Sequence, residues 1–236
     1  MTNLPTFTVS GVPLTLLDVG DPRLTGPQIG IALSGLEQVH MRHFSDYPHM
    51  IEEIGRWRED GWPDPDVVVH NWLALHDGGP VGEFLVHTNT RRGIILFHFF
   101  AVDLEIRRAF PRGWLSHLTN AFLARGQADC AAVGRHLLGC MCEVPDDHVR
   151  KWTRQGFRHL PMEYGEPAGG RYHATPVEYI HQAAVVRTMP RASALPPAVV
   201  SGQAVRAFLL DYYGLPTDEP QVRRMLEEVD GEAIAS

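Results

Sequence analysis

Three cysteines in 236 residues are too few, and too irregularly spaced, to staple a secreted domain. Cys140 and Cys142 alternate as neighbours on one strand face do, so buried reduced thiols are expected there. Positive charge is scarce too: 21 Lys and Arg stand against 28 Asp and Glu, a net charge of −7, which excludes the dominant basic surface of a sequence-independent nucleic-acid binder. Long hydrophobic runs are missing. The most apolar stretch, Ile94 to Val102, contains His98 and is far too short to span a bilayer, and the first residues lack the basic and apolar pattern of a signal peptide. A cytoplasmic protein without membrane or nucleic-acid partners is the expectation. No internal repeat or low-complexity tract is visible, and 44% hydrophobic residues suffice for a true core.

The patterns that are present alternate between two periods. Phe7 to Val19 alternates loosely around Gly11 and Pro13, as a hairpin or edge strand does, and Gly20 to Gly30 is turn-rich. Leu36, Val39, Ile51, Ile54 and Trp57 recur at helical spacing, with Pro48 dividing the stretch into two helices. Three β-like runs follow, Val67 to His76, Val81 to Thr88 and Ile94 to Val102, joined by turn chemistry as in an antiparallel meander. Trp114 to Arg125 is helical, His136 to Val144 a strand, and Pro145-Asp146-Asp147 starts a helix that Gln155-Gly156 ends. Strands are expected at Arg158 to Tyr164 and Tyr179 to Thr188. The proline-rich piece from Pro190 to Pro197 reads as a linker, followed by amphipathic stripes at Val205, Phe208, Leu209, Tyr212 and at Val222, Met225, Leu226, Val229. The order implies an α/β or α+β fold with a mixed sheet. The expected organisation is a domain over 1–189 and a linker with a helical tail over 190–236, whose one-sided stripes fit packing on the domain or a homodimer.

The segment from Val102 to Trp114 leaves an apolar strand and enters an amphipathic helix, carrying Arg107, Arg108 and Arg112 within six residues. Free backbone N–H groups and the helix dipole at such a junction favour an anion, and arginines in an acidic chain point to phosphate. The alternative is a solvated basic turn. Arg108-x-x-Pro111-x-Gly113 occupies the frame of a Gln/Arg-x-x-Gly-x-Gly/Ala loop, and downstream stand the strand Leu137 to Val144 and the run Trp152-Thr153-Arg154-Gln155-Gly156-Phe157. On these residues, from about Val67 to Tyr164, the chain resembles the GNAT acyltransferase superfamily, with Leu36 to Trp57 similar to that family's first helices. Two positions depart from the pattern: Pro111 replaces a loop glycine and has no N–H for a phosphate, and Trp152 stands where many members carry a tyrosine general acid.

The resemblance implies a mostly antiparallel central sheet flanked by helices. It also implies acetyl-CoA or another acyl-CoA as co-substrate, with its pyrophosphate at Arg107, Arg108, Arg112, Gly113 and Trp114 and its pantetheine along Phe100, Ala101 and Val102. An amine, small-molecule or protein-borne, attacks the thioester directly in a ternary complex. The family often places its proton acceptor on the strand before the loop, a glutamate in histone-type members and histidines in arylalkylamine-type members. Leu96, His98, Phe100 and Val102 share a strand face, which makes His98 the expected acceptor. A core histidine is the plain alternative. Glu83 is a second pocket carboxylate or a solvent-facing strand residue, and Tyr164 a substitute general acid. His40, His43, Asp46 and His49 form a competing constellation, but without an H-E-x-x-H signature or paired cysteines a polar helix face is expected rather than a metal. The competing functions are a non-catalytic GNAT-like module that binds CoA or a partner and, more distantly, a metal-dependent hydrolase using the His40 group.

Overall fold

Turn-bounded alternation at the start of the chain becomes strands β1 (Thr6–Val9) and β2 (Val12–Asp18), paired antiparallel from Thr6↔Thr15 to Val9↔Val12. The computed structural model describes the backbone over residues 6–9, 12–21 and 23–235 and side chains over 13–21 and 23–231, so Gly11 lies outside the described residues. Helix α1 (Gly26–His43) begins inside the stretch expected to be turn-rich. The reason is local: Thr25 donates its N–H to the Gln28 side-chain oxygen at 2.8 Å, and Pro27 sits in the first turn, where its missing N–H has no intrahelical partner to lose. Pro48 separates α1 from α2 (His49–Asp60), as expected.

The three apolar runs form β3 (Val67–His76), β4 (Gly79–Asn89) and β5 (Ile94–Val102). A two-residue turn joins the first pair, with Asp77 and Gly78 both at positive φ. Then come α3 (Leu104–Ala109), α4 (Trp114–Ala132), β6 (Gly139–Val144) and α5 (Val149–Thr153). Instead of one strand over Arg158 to Tyr164 there are two short ones, β7 (Arg158–His159) and β8 (Tyr164–Pro167), on either side of Pro161, which cannot donate to a ladder. Both pair antiparallel with β9 (Tyr179–Thr188). Helix α6 (Pro197–Arg206), a π-helical segment over Ala207–Tyr212 and α7 (Pro220–Ala235) end the described chain.

The fold is mixed α/β, with a mostly antiparallel sheet in the order β1-β2-β3-β4-β5-β6-β9-β7, β8 pairing with β9, flanked by helices. The one parallel ladder described joins β5 to β6 from Ile94↔Gly139 to Phe97↔Cys142 and stops there, although β5 runs on to Val102 and β6 to Val144. The chain divides into two compact units: Met1–Pro65, Val69–Val86 and His98–Phe122 in the first, and Asp66–Val68, His87–Phe97 and Leu123–Ser236 in the second.

In the first unit the strands carry a core on each face. Trp72, Phe84 and Phe100 pack on Phe122 of α4, with centroids 4.6 to 5.3 Å apart. On the opposite face Leu73 meets α1 at Gly35, where an added Cβ would lie 2.4 Å from a Leu73 methyl. In the second unit Phe97 lies against Trp152 and Phe157, and α6 packs on β6 and β9 with Val200 fully buried against Gly139. The tail is tied further by Arg92, whose guanidinium donates to Asp211 beside Asn89, and by Arg158, which donates to Ser201 Oγ at 2.6 Å. No described helix is long and apolar enough to cross a membrane.

Candidate active site

The strand-to-helix junction of the first unit is built in two steps. The backbone leaves β5 at Asp103, makes the short α3, and crosses Phe110–Gly113 before α4 starts at Trp114. Phe110 is buried against Trp114, their rings 5.2 Å apart, which fixes the crossing. Gly113 takes a left-handed φ of 89°, and the Trp114 N–H donates to the Pro111 carbonyl at 3.3 Å. Arg107, Arg108 and Arg112 are exposed, and among the described residues their guanidinium groups make no hydrogen bond or ion pair. Three exposed cations without partners among the described residues thus precede, along the chain, the start of a 19-residue helix, whose N-terminal end favours an anion.

Asp103 anchors the near end of this loop. It accepts from Arg42 Nη1 at 2.9 Å and His43 Nε2 at 2.8 Å, while its own N–H donates to the Val81 carbonyl at 2.7 Å. The end of α1 is thus fastened to the point where the arginine loop begins.

Strand alternation separates two of the expected site residues. Phe84 and Phe100 meet at 5.3 Å on the α4 face, so His98 belongs to that face and Glu83 to the other. His98 keeps part of its surface in solvent but its Nε2 has none, and burial of the ring pushes its pKa down to about 3. It is a neutral imidazole at pH 7.

On the α1 face Glu83 and His40 are both fully buried. His40 Nε2 lies 2.9 Å from the Tyr47 carbonyl, which only accepts, so Nε2 carries a hydrogen; Nδ1 lies 2.9 Å from Glu83 Oε1, and one proton sits on that line. Burial raises the Glu83 pKa, against the opposing pull of the His40 hydrogen bond and charge. Glu83 Oε2 is buried and accepts no hydrogen bond among the described residues. Gly82, next in line, lets β4 and β5 close up: a Cβ there would lie 2.6 Å from the Ala101 carbonyl oxygen. Around the pair stand rings that are only half-buried, Phe44, Tyr47 and Phe99, with Phe99 4.9 Å from Phe44, 5.5 Å from Tyr47 and 4.9 Å from His40. His49 of α2 is held below the ordinary histidine pKa by burial and by His40.

Tyr164 lies in the second unit, in a different network. Its hydroxyl donates to Glu143 Oε1 at 2.5 Å and Tyr213 donates to Oε2 at 2.6 Å. Desolvation and the neighbouring Glu166 charge raise the Glu143 pKa well above the usual carboxylate range, the two phenol bonds opposing. Burial and the Glu143 charge likewise raise Tyr164 well above the ordinary phenol value. No sequence signal pairs residues 21 and 70 positions apart, and neither Glu143 nor Tyr213 stands in a motif. The same holds for His40 and Glu83, each noticed in the sequence but not as partners.

Trp152 is a core residue, 5.0 Å edge-to-face with Phe157. The cysteines are free and buried, with burial pushing Cys140 up to about 12. Among the described residues no group of three His, Cys, Asp or Glu is arranged to hold a metal, so His40, His43, Asp46 and His49 do not converge.

No family model matches the sequence, and no curated protein is significantly similar to it. Solved structures are similar in fold. A Bacteroides thetaiotaomicron protein described as a GNAT-family acetyltransferase superposes with a TM-score of 0.52 at 12% identity, over 85% of this chain and 99% of that one. An acyl-CoA N-acyltransferase from Pseudomonas aeruginosa gives 0.45 at 16% identity, over 75% and 99%, and a spermidine N-acetyltransferase chimera from Vibrio cholerae 0.46 at 13%, over 77% and 98%.

Proposed function

The chain has the fold of the GNAT superfamily, and from that premise we propose that it is an acyl-CoA-dependent N-acyltransferase, moving an acyl group, in the simplest case acetyl, onto an amine. The observation that carries this reading is the set of unpaired guanidinium groups of Arg107, Arg108 and Arg112 beside the start of α4. In a chain of net charge −7, three exposed cations without partners among the described residues, leading into the start of a long helix, fit a pyrophosphate. Gly113 and Trp114 supply backbone there, and the arginine side chains replace the N–H that Pro111 lacks. Phe100, Ala101 and Val102 lie beyond the stretch paired with β6, and in this reading their backbone holds pantetheine and polarises the thioester carbonyl.

The remaining task is to take a proton from the incoming ammonium. A histidine held near 3 is a poor acceptor for it, which leaves His98 an orienting role and transfers proton removal to Glu83 on the other strand face. Tyr164, its hydroxyl committed to Glu143, is not free to protonate the leaving thiolate, which takes its proton from water. A second reading, a CoA-binding module without catalysis, draws on the same engagement of Tyr164 and on Trp152 in place of a tyrosine.

Titration calorimetry with acetyl-CoA tests the proposal. Binding is expected, at least tenfold weaker in Arg108→Ala/Arg112→Ala and with a flatter dependence on salt. Unchanged affinity in the double variant removes the assignment, and thiol release with amines separates enzyme from binding module.

A further inference from the structure

We propose that Glu83, backed by His40 and walled by Phe44, Tyr47 and Phe99, is the acceptor subsite, and that its ligand is a monoamine, a primary ammonium on an apolar body. This deepens the acyltransferase reading and rests on it only for what happens after the amine binds.

The starting point is Glu83 Oε2. A buried carboxylate oxygen that accepts no hydrogen bond is rare and unfavourable in a folded protein, and it calls for a donor from outside. His40 cannot be that donor, because both its nitrogens are engaged, Nδ1 with Oε1 and Nε2 with the Tyr47 carbonyl. An ammonium N–H fits that oxygen in sign and in hydrogen-bonding capacity. The three rings argue for the remainder of the ligand. They pack edge-to-face within 5.5 Å of one another through Phe99 yet keep part of their surface in water, and such faces attract a cation and cover an apolar body.

Charge decides between one cation and several. Of the acids at this end of α1, Asp103 is already held by Arg42 and His43 and Asp46 stands exposed in the connection, so Glu83 Oε2 is the buried acceptor beside His40 that is left for a ligand. A polyamine would have to leave its further cations outside the buried subsite, facing solvent and the exposed Asp46.

Phe44 and Tyr47 lie in the short connection between α1 and α2, which must give way for the ammonium to reach Oε2, since Glu83 has no exposed surface. Once bound, the ammonium passes a proton to Glu83. The amine nitrogen then bonds to the thioester carbonyl carbon, the C–S bond breaks, and the thiolate leaves with the electron pair, while the second proton released by the new amide nitrogen passes through water to the thiolate.

The test is calorimetry on the full chain without acyl-CoA, using 2-phenylethylamine, isoamylamine, spermidine and the neutral 2-phenylethanol. On the wild type the monoamines should bind at least tenfold more tightly than 2-phenylethanol, and spermidine no more tightly than they do. In Glu83→Gln, with folding checked by circular dichroism, monoamine affinity should fall at least tenfold. No monoamine binding, alcohol binding within threefold of amine, tighter spermidine, or less than threefold loss in a folded Glu83→Gln each overturns the proposal. Should Glu83→Gln not fold, the amine-to-alcohol ratio on the wild type decides alone. Acetyl-CoA titrated in parallel separates the two readings: loss of its binding with amine binding intact sinks the transferase, and the reverse sinks only the subsite.

Discussion

Glu83 on β4 and Glu143 on β6 both carry carboxyl groups that desolvation pushes up, yet their surroundings differ in one respect. Glu143 has both oxygens taken, by the hydroxyls of Tyr164 and Tyr213, whereas Glu83 has one taken by His40 and one open. A carboxylate with a donor on each oxygen holds structure together, here joining β6, β8 and the C-terminal tail. One with an open oxygen is poised for a ligand, at some expense in stability. Residue type is the same in both, so the difference in role comes from the neighbours.

The largest expected effect breaks the saturated side. Glu143→Ala strands two buried phenols without an acceptor and should lower unfolding free energy by about 3 kcal/mol in urea denaturation. A loss below about 1 kcal/mol would mean that the network is solvated.

His98 supplies a pH test on the first unit. Its folded pKa is about 3, below the ordinary 6.5 of the unfolded chain, so between these values the unfolded state binds the extra proton. Its contribution is therefore complete above pH 6.5 and is lost as pH falls toward 3. Between pH 7.5 and pH 5 the wild type should lose about 2 kcal/mol more than His98→Phe, a difference that vanishes if the ring is protonated in the folded protein.

Tyr213→Phe removes one of two donors to Glu143 and should destabilise by about 1 kcal/mol, a change that urea melts with fixed slope would register. Smallest in stability is Glu83→Gln. Because one oxygen is already unsatisfied, an amide there should shift unfolding by less than about 1 kcal/mol while its effect on amine binding is large. A loss as great as that of Glu143→Ala would erase the distinction between the two glutamates.

Much of the fold is legible in the chain because it is local. The meander from Val67 to Val102 follows from alternation and from Asp77-Gly78, and Pro48 divides α1 from α2 where a residue without an N–H must. The arginine loop is legible for the same reason: all its residues lie within one stretch of backbone. Where local reading fails, a competing local signal is the cause, as with the Thr25–Gln28 cap that starts α1 amid glycines and Pro161 that splits an apparent strand.

The candidate site divides along the same line. The sequence by itself determines which side chains share a strand face, since alternation has a period of two, and thereby separates His98 from Glu83 once Phe84 and Phe100 are known to meet. Only the tertiary structure decides that His40 stands behind Glu83, 43 residues away, and that Tyr213 of the tail reaches Glu143 across 70. Such pairs are set by how helices and strands pack, and burial then sets what each carboxyl can do, because the pKa and the open lone pair belong to the neighbourhood and not to the residue.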